Sequence, residues 1–278
     1  SAAGDVAWIA AADRQFGLRI YALDGQEVSA FGVGRLNGVD AIEVADNQYV
    51  LAASNESANA LSLFTASIDD GVLTVSALPP VVLTMTEPDG LCMERVGDRL
   101  GVYVGDRTGR LEEWHIDAYG QGVLSRTMSF AGQARTCVVD RERRTLYVGD
   151  DATGIWALDL ESSDLELFDG REDQKLLPGA AGLGIHASPD GTYLVASGIV
   201  GRGVGVYALP SGEPEAAFRV NPNAELGMDG MPIVSGVTAF GEPLPAYPAG
   251  IVIVHDGSGN DRSFKLVDWR AVKLLLAN

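Results

Sequence analysis

Residues 135–160 read RTCVVDRERRTLYVGDDATGIWALDL, and the stretch divides into short apolar runs separated by charged or glycine-bearing turns. Residues 136–139 are apolar, 140–144 are a charged turn, and 145–148 are β-branched and aromatic. A polar loop with two aspartates and two glycines covers 149–154, and residues 155–158 are apolar again. Runs this short, bounded by Gly and Asp clusters, fit antiparallel strands: the turn residues tolerate the backbone angles a reversal needs, and the runs are too brief for helices. The pattern predicts strand, turn, strand, loop, strand.

The same phrase recurs. WIAAADRQFGLRIYAL begins at Trp8, YVLAASNESANALSLF at Tyr49, LGVYVGDRTGRLEEWHI at Leu100, TLYVGDDATGIWALDL at Thr145, YLVASGIVGRGVGVYAL at Tyr193 and GIVIVHDGSGNDRSFKLVDW at Gly250. The starts lie roughly 40 to 57 residues apart, the period of a four-stranded propeller blade. A further apolar run precedes most copies and another follows, which makes four short strands per unit. One blade cannot bury both its faces, so neighbouring blades must cover them. The expected fold is therefore all-β: a single six-bladed β-propeller over residues 1–278, with antiparallel blades at about 5–33, 37–84, 89–130, 134–169, 180–221 and 228–272. The Pro/Gly-rich stretches 210–214 and 241–248 fall where inter-strand loops belong, and 221–236 is the longest irregular segment. Residues 269–277 are read as a final strand or tail, with a short helix as the alternative.

Composition narrows the class. The chain has 278 residues, 46% hydrophobic, enough for a sizeable core. No apolar stretch approaches the roughly 18 residues of a membrane span, so no membrane partner is expected. The net charge of −18 argues against nucleic acid, whose phosphates need a basic face. Cys92 and Cys137 lie in separate apolar runs and are expected as buried free thiols in preference to a disulfide or metal pair, which leaves the redox compartment open. His115, His186 and His255 are too scattered for a zinc site, although His255 lies beside Asp256. Trp8, Trp114, Trp156 and Trp269 are expected in the core. Residues 1–4 read as a tag remnant, and no charged-then-apolar signal segment opens the chain, which fits a mature form as well.

In a propeller the loops at one rim gather residues distant in sequence. The loop after the second strand of each unit carries Asp13 and Arg14; Ser54, Asn55 and Glu56; Asp106 and Arg107; Asp150 and Asp151; Ser197; or Asp256. Carboxylates converging there suit Ca²⁺, which takes oxygen ligands in irregular geometry. Arginines beside them suit phosphate through bidentate bonds. Against this stands a structural reading in which the aspartates simply make Asx turns. The glycines of GVGRLNG at Gly32 precede a strand, so they do not form a dinucleotide loop.

In order and spacing, FGLRIYALDG at Phe16, GRLNGVD at Gly34, EPDGLCM at Glu87, GDRTGRLEEW at Gly105, RRTLYVGDDATGIWALD at Arg143, AGLGIHASPDGTYLVAS at Ala181, MDGM at Met228, HDG at His255 and FKLVDW at Phe264 together resemble the β-propeller phytases. These are calcium-dependent enzymes that remove phosphate from inositol hexakisphosphate. The resemblance implies calcium at the channel, metal-assisted attack of water on phosphorus, and an inositol phosphate or phosphate as small-molecule ligand. It implies Arg14 and Arg107 as phosphate holders, and Asp150, with Asp151 beside it, Asp229, Asp256 and Asp40 as acidic positions of the metal site. It assigns no catalytic side chain here. It further implies a secreted or periplasmic monomer.

The departures from the family pattern are specific. No Asp-Asp-Pro-Ala-Ile-Trp segment precedes Val6. A calcium-ligand Glu is replaced by Arg135 and a second by Ala181. Glu56 stands where a phosphate-binding Arg is expected, Asp89 where a Tyr is, and Pro232 where an acid is. Fewer oxygen ligands mean a weakened calcium site, although Arg135 supplies a cation that can hold phosphate. The chain resembles the incomplete N-terminal domain of two-domain family members, which implies a catalytic propeller following Asn278. Two readings result: a degenerate site that binds inositol phosphates with weak or absent hydrolysis, which is preferred, and an active calcium-dependent 3-phytase.

Overall fold

The computed structural model describes residues 7–170, 180–198, 203–225, 227–257 and 263–276. The expected tag remnant at residues 1–4, the opening of the first blade and residue 277 lie outside these. The chain forms two compact units, residues 1–141 and 142–278.

In the first unit, β1 (Trp8–Ala12), β2 (Leu18–Ala22) and β3 (Glu27–Phe31) form one antiparallel sheet in chain order. A second holds β4 (Leu36–Ala45), β5 (Gln48–Asn55), β6 (Ala60–Asp69) and β7 (Val72–Ala77), with β8 (Val81–Val82) also paired to β6. A third runs through β9 (Pro88–Val96), β10 (Arg99–Asp106), β11 (Arg110–Ile116) and β12 (Gly122–Ser129), and β13 (Ala134–Asp140) ends the unit. The burial pattern explains the composition. β10, RLGVYVGD, is buried on both faces after its first residue, so it reads as a continuous apolar run. β12, GVLSRTMS, alternates half-buried and exposed positions because only one face is covered. Val102, Val104, Trp114 and Ile116 join Leu61, Leu63 and Met93 in one core cluster, while Leu18, Leu36 and Phe64 anchor another.

The second unit contains β14 (Thr145–Asp150), β15 (Gly154–Asp159) and β16 (Leu165–Gly170), paired in order. A four-stranded meander follows: β17 (Gly182–Ser188), β18 (Gly191–Ser197), β19 (Val204–Leu209) and β20 (Pro214–Phe218). The last sheet is β21 (Val234–Phe240), β22 (Ile251–Asp256) and β23 (Phe264–Asp268), and α1 (Trp269–Leu276) follows it directly. Val195, Val206, Val252 and Val254 pack with Trp269 and Val272 in its core.

The repeat is visible in the register. A β-bulge lies at Ile20/Tyr21, Glu113/Trp114, Ile155/Trp156 and Val206/Tyr207, each time where the third strand of the phrase meets the outer strand beside its Tyr or Trp. A bulge adds local twist, and its recurrence beside the same aromatic shows that the phrase is a structural unit. The six sheets, mostly four-stranded and antiparallel, make the fold a six-bladed β-propeller, the class that the repeats predict.

Three expectations are corrected. Cys92 and Cys137 are not free thiols: they form a disulfide, with Cα atoms 5.6 Å apart. β9 and β13 come close enough because Gly90 faces β13, where a Cβ would stand 2.3 Å from the Arg135 carbonyl oxygen. Residues 269–276 form a helix, not a strand. Its start is fixed by Asp268, whose Oδ1 accepts the Arg270 N–H at 2.8 Å in an N-cap arrangement. Trp269 and Val272 point inward one turn apart. Trp269 therefore lies on a helix, stacked on His186 with ring centroids 3.7 Å apart. Trp114 is buried as expected, but Trp8 and Trp156 are only half-buried.

Candidate anion site

The loop after β5 is built by its own polar side chains. Asn55, buried, donates to the Val33 carbonyl at 2.8 Å and accepts the Ala58 N–H at 3.1 Å. Ser54 accepts the Gly38 N–H at 2.9 Å and donates to the Asp89 carbonyl, tying the loop to β9. Gly34, in the left-handed region at φ 106°, reverses the chain just before Arg35. The Arg35 N–H then bonds Ser57 Oγ at 2.9 Å and its carbonyl accepts the Glu56 N–H at 2.9 Å. With the backbone so held, the Glu56 carboxylate projects into a group of arginines.

Glu56 Oε2 lies 3.4 Å from Arg14 Nη2 and 3.4 Å from Arg107 Nη2, and Oε1 lies 3.1 Å from Arg35 Nη2. Asn37 Nδ2 donates to Oε2 at 3.0 Å and to the Pro88 carbonyl at 2.7 Å. Arg107 Nε reaches Asp89 Oδ2 at 3.3 Å, and Arg135 Nε is 3.6 Å from the same oxygen. The result is one cluster in the first unit: four guanidiniums, from Arg14, Arg35, Arg107 and Arg135, around the carboxylates of Glu56 and Asp89. The Asn37 amide, together with Arg35, Arg107 and Arg14, holds the Glu56 carboxyl below the usual carboxylate range against the opposing effect of burial.

Each arginine comes from a different element: Arg14 from the loop after β1, Arg35 from the turn before β4, Arg107 from the loop after β10 and Arg135 from β13. Planar guanidiniums at such spacing are suited to phosphate oxygens, which accept paired N–H donors. The structure thus places Arg14, Arg107 and Arg135 together, and adds Arg35 and Asn37, which the sequence reading did not single out. A Gly-Arg turn just before a strand that opens onto the same loops is the signal that would have found Arg35.

The acidic positions are distributed differently. Asp40 on β4 accepts the Met93 N–H at 2.8 Å and the Ala41 N–H at 2.7 Å, with Arg141 at 3.9 Å. Burial pushes its carboxyl up, against the pull of Arg141 and the two N–H groups. In the second unit Asp150 is fully buried and shapes its own turn, accepting the Ala152 N–H and the Thr153 hydroxyl, both at 2.8 Å. Asp151 follows in the same turn. Asp13 and Asp106 make equivalent turns, bonding the N–H groups of Gln15 and of Thr108, each at 2.7 Å. These are the Asx turns of the structural reading. Asp229 and Asp256 meet at Lys265, a β23 residue only 6% exposed. Its ammonium is 2.7 Å from Asp229 Oδ1, 3.4 Å from Asp256 Oδ2 and 3.4 Å from the Gly230 carbonyl.

Calcium needs six to eight oxygens around one point. Among the described residues no group of three or more His, Cys, Asp or Glu side chains is arranged to hold a metal ion. The Asp229 and Asp256 carboxylates instead hold the Lys265 ammonium between them.

The structural likenesses are distant. Two chains from COPII coats on membranes, one from the outer coat vertex, superpose with TM-scores of 0.51 at 14% identity over 80% of this chain, which spans 58% and 32% of theirs. At that identity the likeness is one of fold alone. Sequence relatives are more informative. The 3-phytase of Bacillus subtilis (strain 168) is 26% identical over 294 aligned residues, covering 94% of this chain and 74% of the relative. The family model described as Phytase matches residues 3–277. With nearly its whole length matched and its strands in six propeller sheets, the chain belongs to the phytase family.

Proposed function

We propose that this chain is a phytase-family propeller that binds phosphate groups of inositol phosphates, or inorganic phosphate, at the Arg14–Arg35–Arg107–Arg135 cluster, with weak or absent hydrolysis. The observation that carries this reading is the cluster itself: four guanidiniums from four separate elements, preset by Glu56, Asp89 and Asn37. The likeness to a 3-phytase supports the class of ligand. Weak hydrolysis is part of the proposal because Arg135 and Ala181 stand where the family resemblance implies calcium-ligand glutamates, and arginine holds an anion but does not lower the pKa of water as a bound metal ion does. If calcium binds in the second unit, Asp229 and Asp256, with Asp150 and Asp151, are the proposed oxygens, and the ion has to displace Lys265.

A second reading, supported by the same relative, is an active calcium-dependent 3-phytase. Calorimetry with phytate and orthophosphate, run beside a phosphate-release assay with and without millimolar calcium, separates the two. Heat of binding without turnover is expected. Calcium-dependent release of phosphate at an enzymatic rate supports the second reading, and neither heat nor turnover from folded protein rejects both. The disulfide favours an oxidising compartment, so we place the protein in the periplasm or outside the cell. No helix among the described residues is long and apolar enough to cross a membrane. A monomeric state completes the proposal.

A further inference from the structure

Four guanidiniums against two carboxylates leave the cluster with two net positive charges. The two kinds of group also differ in depth. The Glu56 and Asp89 side chains are each 11% exposed, whereas those of the four arginines are 29–54% exposed. An anion arriving from solvent meets guanidiniums first, with the acids beneath them. The five arginine–carboxylate pairs engage only a minority of the roughly twenty N–H donors that four guanidiniums carry. Outward donors are thus available while the acids hold the planes in place and halve the local charge. Beyond the cluster the chain is strongly acidic, at −18 overall, so negative charge that reaches past the arginines is disfavoured.

Resting on the anion-binding reading above, we infer that Glu56 and Asp89 are built-in counter-charges that fit the arginine cluster to a single phosphate dianion, either orthophosphate or an isolated phosphomonoester, and set it against densely phosphorylated ligands. One dianion neutralises the cluster. Each further phosphate of inositol hexakisphosphate brings about two more negative charges with no matching cation. The two acids are thus specificity-determining residues that act through the arginines.

The test is calorimetry on the full chain with orthophosphate and with phytate, in chelator-treated buffer of fixed low ionic strength, for wild type, Glu56→Gln, Asp89→Asn and Glu56→Asp. Wild type is expected to bind phytate less than tenfold more tightly than orthophosphate. Removing one charge at about 6 Å from a dianion in a water-like dielectric corresponds to about a tenfold gain in affinity. Glu56→Gln and Asp89→Asn should each show such a gain for orthophosphate, and a larger one for phytate. Glu56→Asp, which keeps the charge, should keep the wild-type ratio. A phytate preference above tenfold in wild type overturns the inference. So does a Glu56→Gln protein with wild-type circular dichroism that binds orthophosphate no better than wild type. Those results leave anion binding itself intact, whereas absence of binding by every protein tested removes the anion site and the inference together.

Discussion

Breaking the Cys92–Cys137 bridge is expected to destabilise the protein substantially. The cysteines are 45 residues apart in sequence. In the chain-entropy description, closing a loop of that length removes about 13 cal/mol/K from the unfolded ensemble, or about 4 kcal/mol at 25 °C. For a chain of this size each kcal/mol moves the melting temperature by roughly 2–4 °C, so reduction should lower it by roughly 8–16 °C. Both residues are almost fully buried, so an alanine pair would add lost packing to lost cross-linking. The cleaner comparison is scanning calorimetry of the wild-type protein, oxidised and fully reduced, with thiols counted before the scan. Cys92→Ala/Cys137→Ala should melt at or below the reduced protein. A fall of less than about 3 °C with two thiols titrated would refute the reasoning. Thiols counted as free in the untreated protein would refute the bridge.

Three further outcomes are expected. Arg107→Gln removes the guanidinium that touches both Glu56 and Asp89; orthophosphate binding should weaken about 10–100-fold, from the 1.5–3 kcal/mol typical of charged hydrogen bonds, with circular dichroism unchanged, and undiminished binding would move the anion site elsewhere. Lys265→Met takes the ammonium from between Asp229 and Asp256. It should cost about 3 kcal/mol in calcium-free buffer and produce a calcium-dependent rise in melting temperature that wild type lacks; a calcium response equal in both proteins counts against a cation seat there. The third concerns pH. The Glu56 carboxyl is depressed in the folded protein, so its contribution to stability is fully present above the unfolded value of about 4.3 and is lost as pH falls through the lower folded value. Melting curves below pH 4.5 should therefore fall less steeply for Glu56→Gln than for wild type, and parallel curves would contradict the ion-pair assignment.

The fold was legible because its units repeat a pattern with a physical cause. Doubly covered strands such as β10 must be apolar throughout, outer strands such as β12 alternate, and Asp13, Asp106 and Asp150 mark the turns by bonding their own backbone. What escaped depends on approach between strands. Nothing in the spacing of Cys92 and Cys137 says that β9 and β13 lie within bridging distance; Gly90 says so only once its neighbour is known. The helix after Asp268 was misjudged because a short run of apolar residues fits strand or helix alike. Its N-cap aspartate and the i, i+3 pair of Trp269 and Val272 were the readable evidence. At the site, Arg14 and Arg107 were readable as candidates from the rim loops, and Arg135 from the family resemblance. Arg35, Asn37 and Lys265 were not, since each acquires its role from a partner distant in sequence.

The acids at the cluster follow a different logic from those of the turns. Asp13, Asp106 and Asp150 accept N–H groups of their own loops and would be needed in any protein with these turns. Glu56 and Asp89 instead face side chains from other elements. A scaffold with four converging arginines and no counter-charge would repel itself and hold its guanidiniums loosely. One built with two shallowly buried carboxylates keeps the arginines oriented and retains a net charge of two for a ligand. Of the two positions where the resemblance implies a lost calcium ligand, Arg135 belongs to this anion cluster, and holding an anion there does not require catalysis. The decisive contrast is between Glu56→Gln and Glu56→Asp: if charge governs the site they must move phosphate affinity differently, and if the side chain is only a strut they must behave alike.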